Sequence, residues 1–110
     1  MGIKDLKVNV VYGGVYIKMK ESHQDKELER VIKALANRRR LAILRYLRKG
    51  REASVGDITE EINLSFKSTS RHLAVLSAVH LVDRDQIGTK MYYRITEKIP
   101  EVARKIIFII

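Results

Sequence analysis

The chain has 110 residues, which suffices for one domain with a modest core, and its hydrophobic content of 45% indicates a globular rather than a disordered protein. It carries 22 lysines and arginines against 13 aspartates and glutamates, for a formal net charge of +9. The charge favours a polyanionic partner, although an acidic membrane surface would attract it as well.

Cysteine is absent from the sequence, which excludes disulfides and thiolate metal sites. The longest apolar run, residues 106–110, is far shorter than the roughly 20 residues that cross a bilayer, and the N-terminus lacks the apolar core of a signal peptide. We therefore expect a cytoplasmic protein that does not bind membranes.

Residues 7–20 are predicted to form a β-hairpin around the Gly13-Gly14 pair, which suits a two-residue turn. Pairing outward from this turn places Tyr12 opposite Val15, Val10 opposite Ile17 and Val8 opposite Met19, on one apolar face. The other face pairs Val11 with Tyr16, Asn9 with Lys18 and Lys7 with Lys20. A lone hairpin is marginally stable in water, so the apolar face should rest on the domain or on a second subunit. The alternative is an arm that does not pack.

Three helices are predicted next. The first begins near Ser22, with Asp25 completing a capping box, and its apolar positions are Leu28, Val31, Ile32, Leu35 and Ala36. After Asn37, a second helix covers residues 38–49, with Leu41, Leu44 and Leu47 inward and Gly50 as a C-cap of positive φ. The third begins at Ser54, with Asp57 three residues later and Ile58 and Ile62 inward.

A break of three residues, 63–65, separates the third helix from a fourth whose N-cap is Ser65. On a helical wheel, Thr69, Leu73 and Leu76 form the inner side of this fourth helix. The outer side carries Lys67 and Arg71, flanked by Ser68 and Ser70, with small alanines at positions 74 and 78.

The pattern then changes to period two, which predicts strands over residues 82–86 and 90–95 joined at residues 87–89. The last predicted helix has Pro100 near its first turn. One side of that helix is apolar and consists of Ile99, Val102, Ala103, Ile106, Ile107 and Ile110.

Two capped helices with a short break, followed by a hairpin, have the spacing of a helix-turn-helix with a wing. The first turns of the second helix of such a motif meet base edges in the major groove, where arginine can bond guanine and serine can bond any base. We therefore predict that double-stranded DNA is bound through Lys67, Ser68, Ser70 and Arg71 on the helix, through Arg84, Lys90 and Arg94 on the wing, and through Arg38 and Arg39.

The second helix adds further basic residues with no acid between them, at positions 38–40, 45, 48, 49 and 51. A basic triplet at the start of a helix opposes the helix dipole, so something must compensate it. Two hypotheses stay open for each arginine of residues 38–40: contact with DNA phosphate, or pairing with Glu27, Glu29, Glu60 or Glu61.

Residues 31–95 resemble the ArsR/SmtB family of winged-helix regulators. The similarity lies in the segments IKALAN at 32–37, RLAIL at 40–44, LS at 64–65, RHLAVL at 71–76, LV at 81–82 and YYRI at 92–95. The resemblance implies a homodimer formed by the first and last helices, operator binding as a repressor, and release by a signal. The interface residues expected from it are Leu28, Val102, Ile106, Ile107 and Ile110. The apolar run at residues 106–110 would favour aggregation if it were exposed, so we predict that it is buried against its symmetry mate.

The sequence departs from the family where its best-known members bind metal. Ser54 and Gly56 stand where thiolates would lie at the start of the third helix, and the last helix has no histidine. Soft or borderline metals need thiolate or imidazole ligands, so we expect no metal and no cofactor. His72 is interpreted as a packed or hydrogen-bonded side chain, and His80, which stands where the family often has glycine, as a left-handed turn residue.

The expected fold class is mainly α with a small β component (α+β). It is a winged helix-turn-helix of five helices over residues 22–110, preceded by a β-hairpin arm over residues 1–21. The expected function is that of a dimeric, sequence-specific transcriptional regulator, a repressor that acts on an inverted-repeat operator. We do not expect an enzyme, since the sequence has no phosphate-binding or nucleophile motif. The alternative is a winged-helix module that contacts protein or RNA. The sequence indicates neither the effector nor the operator.

Overall fold

The structure, a computed structural model, describes the backbone of residues 10–12 and 15–17 and the whole of residues 22–110. The chain divides into two compact units, Met1–Arg30 and Val31–Ile110, and each is described by itself. The elements in chain order are β1 (Val10–Tyr12), β2 (Val15–Ile17), α1 (His23–Leu35), α2 (Arg38–Leu47), β3 (Ala53–Ser54), α3 (Val55–Ile62), α4 (Phe66–Ala78), β4 (Val82–Ile87), β5 (Lys90–Ile95) and α5 (Glu101–Ile109). The predicted fold class of five helices with a β-wing is confirmed.

Strands β1 and β2 pair antiparallel in the predicted register. Val10 lies opposite Ile17, Val11 opposite Tyr16 and Tyr12 opposite Val15. The other predicted pairs and the Gly13-Gly14 turn lie outside the described residues. The domain boundary after residue 21 stays a prediction.

The predicted capping residues start their helices. The Ser22 amide donates to Asp25 Oδ2 (2.9 Å) and the Asp25 amide donates to Ser22 Oγ (3.2 Å), ahead of α1. Ser54 and Asp57 form the same reciprocal pair at α3. Asn37, which the sequence suggested only as an interruption, is the N-cap of α2 and accepts from the amides of residues 39 and 40. These side chains satisfy amides that have no partner inside the helix.

The wing is larger than predicted. Residues 82–87 pair with residues 90–95, leaving a two-residue turn in which Gly88 has φ +64. A third strand, β3, which sequence reasoning missed, pairs with β5 through Ala53 opposite Tyr93 and Ser54 opposite Tyr92, giving the order β3-β5-β4. Two residues are too few for a period-two pattern, so this strand exists only because β5 lies beside it.

The core of the second unit joins α2, α3, α4, the wing and α5. Its fully buried large side chains include Ile43, Leu44, Leu47, Ile58, Leu73, Leu76 and Leu81. Ile43 was not predicted to face inward, whereas Leu41 and Ile62, which were, are half-buried. On α1 the buried residues are Val31, Ala34 and Leu35, while the predicted inward residues Leu28, Ile32 and Ala36 are exposed. The apolar pattern of α1 is therefore wider than the stripe that its own chain covers.

Helix α5 is anchored in the core by Ala103 and Ile107, which follow each other at i, i+4. Val102, Ile106 and Ile110 are half-buried beside them. Within the described residues, no helix has the length and apolar character required to cross a bilayer.

Candidate nucleic-acid interface

A sharp turn joins α3 to α4. Asn63 adopts the left-handed conformation (φ 55, ψ 52) as the C-cap of α3, and the amide of Leu64 donates to the carbonyl of Thr59 at 3.3 Å. Asparagine tolerates this conformation better than most residues. Two residues later Ser65 caps α4 by accepting the amide of Ser68 at 3.1 Å. The predicted three-residue break is thus confirmed, and it fixes where α4 begins.

The inner side of α4 is fixed in the core as the wheel predicted. Thr69, Leu73 and Leu76 have no exposed surface. The Thr69 hydroxyl donates to the Ser65 carbonyl at 2.9 Å, so this buried polar group is satisfied inside its own helix. The rotation of α4 about its axis is therefore determined by three buried side chains.

The outer side of α4 brings together the four predicted contact residues of this helix. Lys67 and Arg71 are exposed, and Ser68 and Ser70 are half-buried at its flanks. Ala74 and Ala78 continue the same side with short, exposed side chains. The arrangement presents donors at the start of the helix and little bulk further along.

Helix α4 is also tied to the helices that precede it, through Arg40. Its Nη1 lies 3.3 Å from His72 Nδ1, its Nε donates to the carbonyl of Ala34 at 2.5 Å, and its Nη2 donates to the carbonyl of Lys33 at 3.2 Å. The two carbonyls belong to the last turn of α1, where a cation is favoured by the helix dipole. For Arg40, the carbonyls at the end of α1 supply a negative partner in place of the glutamates considered from the sequence.

His72 is a hydrogen-bonded side chain, as predicted. Partial burial first, and then the charges of Arg40 and Arg39, lower the pKa of its imidazole below the ordinary value of 6.5. Since arginine has no acceptor atom, His72 Nδ1 must accept, which requires the neutral ring with its proton on Nε2.

The three predicted wing residues do not form one surface. Arg84 lies opposite Tyr93 on one face of the β4–β5 hairpin, whereas Lys90 and Arg94 lie on the other face. Arg94 forms an ion pair with Asp85, which raises the pKa of the guanidinium. Lys90 is exposed beside the turn at Gly88. Of the three, Lys90 is thus placed best for contact with a phosphate, and Arg94 has part of its charge balanced by its own strand neighbour.

Arg38 and Arg39 lie on the outer side of α2 rather than with the outer side of α4. They line a groove of about 690 Å³ together with other residues of α2 and the end of α3. Within the described part of the chain, no carboxylate comes within ion-pair distance of either guanidinium. The pairing with glutamate that the sequence left open is therefore absent for these two residues.

The predicted interface residues differ in what they expose. Leu28 is 42% exposed, and Val102, Ile106 and Ile110 are half-buried. Ile107 is only 5% exposed, since its own chain covers it, so it has little surface to present to a partner.

Two further apolar side chains are exposed, of which sequence reasoning missed the second. Ile109 is 78% exposed and, seven residues after Val102, lies on the same side of α5. Phe66, the first residue of α4, is 62% exposed. The i, i+7 spacing indicated Ile109, but no sequence signal separates an exposed phenylalanine at a helix start from a buried one.

The stretch aligned with the family's metal box serves a structural purpose here. Ser54 uses its hydroxyl and its amide in the capping box, and it belongs to the strand that pairs with β5. Within the described residues, no group of three or more histidine, cysteine, aspartate or glutamate side chains is placed to hold a metal ion.

The helix-turn-helix of α3 and α4, with the β4–β5 hairpin beside it, defines a winged helix-turn-helix protein. A family model described as bacterial regulatory protein, arsR family, matches residues 37–84. The transcriptional repressor SdpR of Bacillus subtilis is 35% identical over 66 residues, which are 60% of this chain and 72% of SdpR. This chain belongs to the arsR family of bacterial regulatory proteins, and the resemblance drawn from its sequence is confirmed.

Two mycobacterial proteins are also similar to this chain. The HTH-type transcriptional regulator Rv0324 of Mycobacterium tuberculosis is 40% identical over 78 residues, which are 71% of this chain. This chain spans about a third of the length of Rv0324, since the match covers 33% of it. The homodimeric winged helix-turn-helix DNA-binding domain Mb0332 of Mycobacterium bovis, solved by NMR as fragment 1–100, superposes with a TM-score of 0.68 at 33% identity, covering 81% of this chain and 83% of that one.

Proposed function

We propose that this protein is a sequence-specific, double-stranded DNA-binding transcriptional regulator that acts as a homodimer on an inverted-repeat operator. The observation that carries the proposal is the outer side of α4. It combines Lys67, Ser68, Ser70 and Arg71 on a helix whose rotation is fixed by buried residues. A fixed rotation is what base recognition requires, because a hydrogen bond to a base edge tolerates little displacement.

Each side chain has a distinct task in this proposal. Arg71 bonds a guanine through its planar guanidinium, the flanking serines bond base edges or phosphate, and Lys67 holds a phosphate near the helix start. Lys90 at the wing turn contacts the backbone beyond the groove. The short side chains at positions 74 and 78 let the rest of α4 pass the groove wall.

A homodimer supplies the second half-site. Val102, Ile106 and Ile109 form an apolar side of α5. The chain covers Val102 and Ile106 only in part and leaves Ile109 largely exposed. An isologous pairing of this side with its copy would bury it. Mb0332 is homodimeric, which supports the same arrangement here. Because SdpR is a repressor, we propose repression as the direction of regulation, and a cytoplasmic, non-enzymatic role in keeping with it.

DNA selection with the purified chain tests the central proposal. We expect an enriched inverted repeat with half-site centres about 34–36 Å apart. On that sequence, Arg71→Ala should reduce discrimination against random DNA by a factor of about 5 to 150, the equivalent of about 1–3 kcal/mol. Arg104→Ala is the matched control, because Arg104 is exposed on α5 and pairs with Glu101.

Two results would contradict base recognition by α4. The first is selection without an enriched motif, which would favour a module that contacts protein or RNA. The second is an Arg71→Ala protein that discriminates its operator as well as the parent does.

Analytical ultracentrifugation tests the dimer. We expect Ile109→Asp to weaken self-association at least tenfold with an unchanged circular dichroism spectrum, since this side chain is exposed in the single chain. Phe108→Asp is the matched control, because Phe108 is 85% exposed but lies on another side of α5. A monomeric parent protein, or equal weakening by both variants, would refute this interface.

A further inference from the structure

A basic groove runs along the outer side of α2. Its lining also includes Ala42 of α2 and, at the end of α3, Glu61 and Ile62. We name it the α2 groove. Its cations are Arg38, Arg39, Arg45, Arg48, Lys49 and Arg51.

Part of the charge of the groove lies along one side of α2. Arg38 and Arg45 fall within a narrow sector of its wheel, which the short Ala42 shares, and α2 buries the opposite sector through Ile43, Leu44 and Leu47. Arg45 lies in the last turn of α2 and Lys49 in the turn that follows, and their like charges repel each other. In the described residues, no aspartate or glutamate side chain lies within ion-pair distance of any of the six cations. An anionic ligand would relieve this repulsion.

Contacts to the rest of the protein hold three of the cations in place. Arg45 Nε donates to the main-chain oxygen of Ile110, the last residue of the chain, at 2.9 Å, and Arg48 Nη1 donates to the carbonyl of Ile107 at 3.3 Å. The Arg51 guanidinium lies over the Tyr46 ring, 5.0 Å from its centre. Each guanidinium has five N–H donors, so most donors stay available to a ligand while the side chain is already oriented. Such preorganisation lowers the entropy lost on binding.

The shape of the groove selects among anions. Its volume of about 690 Å³ lies in the range of small-molecule sites, and it is concave between two helices. A DNA duplex instead needs a broad surface that follows its backbone. The lining has six cationic side chains and one acidic side chain, that of Glu61, which suits a ligand with several negative charges, and arginine forks match phosphate oxygens.

We propose that the α2 groove is a binding site for a compact anion that carries two or more phosphate groups. It lies on the outer side of α2, whereas the proposed contacts to bases lie on the outer side of α4. Occupancy of the groove therefore does not depend on base recognition by Arg71.

Inorganic tripolyphosphate is the probe, measured by isothermal titration calorimetry at physiological ionic strength with the full chain. We expect saturable binding of one anion per chain, far tighter than that of inorganic phosphate. The double variant Lys49→Gln/Arg51→Gln should weaken it at least tenfold. The matched control is Arg104→Gln/Lys105→Gln, which removes the same charge from exposed positions on α5. Circular dichroism confirms that each variant is folded.

Three outcomes would overturn the proposal. The first is binding of tripolyphosphate that does not saturate. The second is equal weakening of that binding by the two double variants, which would indicate an effect of net charge alone. The third is a groove variant that loses affinity for random duplex DNA but not for tripolyphosphate. An Arg71→Ala protein that binds tripolyphosphate like the parent supports the groove even if no operator exists. Failure of the groove and failure of the proposed function are thereby distinguished.

Discussion

Arg40 Nη1 lies 3.3 Å from His72 Nδ1, so one guanidinium connects the start of α2 to the proposed recognition helix α4. The same guanidinium donates to the carbonyls of Ala34 and Lys33 at the end of α1. Three helices thus meet at one side chain. A change in the position of α1 would reach α4 through this contact, and a change in the protonation of His72 would weaken it.

The first prediction concerns pH. The pKa of His72 is lowered in the folded state, so the unfolded chain binds more protons than the folded chain below about pH 6.5, the ordinary value. The stability that neutral His72 contributes to the folded state is therefore complete above pH 6.5, and it is lost as the pH falls toward the folded-state pKa of His72. Thermal unfolding between pH 5 and 7.5 should show a smaller fall in Tm for His72→Asn, whose amide oxygen replaces the Nδ1 acceptor.

His80→Asn is the control for this change, because His80 is exposed with φ 61, a conformation that asparagine adopts readily. It should retain the pH dependence of the parent. If the pH dependence of Tm disappeared in the His80 variant and persisted in the His72 variant, its assignment to His72 would be contradicted.

The second prediction concerns Arg40. Arg40→Ala removes the hydrogen bonds to two carbonyls of α1 and to His72, and should lower the free energy of unfolding by about 2 kcal/mol. Arg39→Ala, next to it but exposed, should change stability by less than about 0.5 kcal/mol. Urea denaturation followed by circular dichroism measures both, and similar values for the two would mean that the Arg40 contacts contribute nothing.

The third prediction is that two glycine substitutions change the free energy of unfolding in opposite directions. Gly88 has φ +64 in the wing turn, so Gly88→Ala should destabilise by about 1 kcal/mol even though its Cβ would meet no atom within 4 Å. Gly56 lies in α3 with no positive φ, and an added Cβ would come no closer than 3.7 Å to Ser54 Oγ. Gly56→Ala should therefore stabilise by about 0.5 kcal/mol.

Thermal or urea unfolding compares the two glycine variants with the parent protein. Loss of stability in Gly56→Ala would mean that this part of α3 is more crowded than its contacts indicate.

The fourth prediction concerns the wing. If Lys90 contacts a phosphate, Lys90→Gln should reduce the slope of log affinity against log salt by about 1 and weaken binding to all sequences alike. The double variant Asp85→Asn/Arg94→Gln removes an ion pair without changing the net charge, and should leave the slope unchanged. Fluorescence anisotropy at several salt concentrations measures the slopes, and a larger effect from the double variant would transfer the phosphate contact to Arg94.

Local patterns in the sequence predicted most of the fold. The caps at Ser22, Ser54 and Ser65 each act within three residues, and the wheel that placed Thr69, Leu73 and Leu76 inside needs only the helical period. His80 has the left-handed conformation that the family resemblance implied, since the family often has glycine at this position. These features depend on neighbours along the chain, so a reader of the sequence could find them.

The errors share a long-range cause. Strand β3 depends on Tyr92 and Tyr93, nearly 40 residues away. Ile43 was overlooked because its burial depends on which elements pack against α2.

The amino-acid sequence by itself determined the order of the helices, their caps, the wing and the outer side of α4, because each follows from hydrogen bonds and periodicities that span a few residues. Only the tertiary structure decided which partner each cationic side chain contacts. It directs Arg40 to the end of α1, pairs Arg94 with Asp85, and gathers Arg45, Lys49 and Arg51 in the α2 groove. Their charges are identical in the sequence, and what differs is the set of carbonyls, carboxylates and rings that the packed helices bring beside each one.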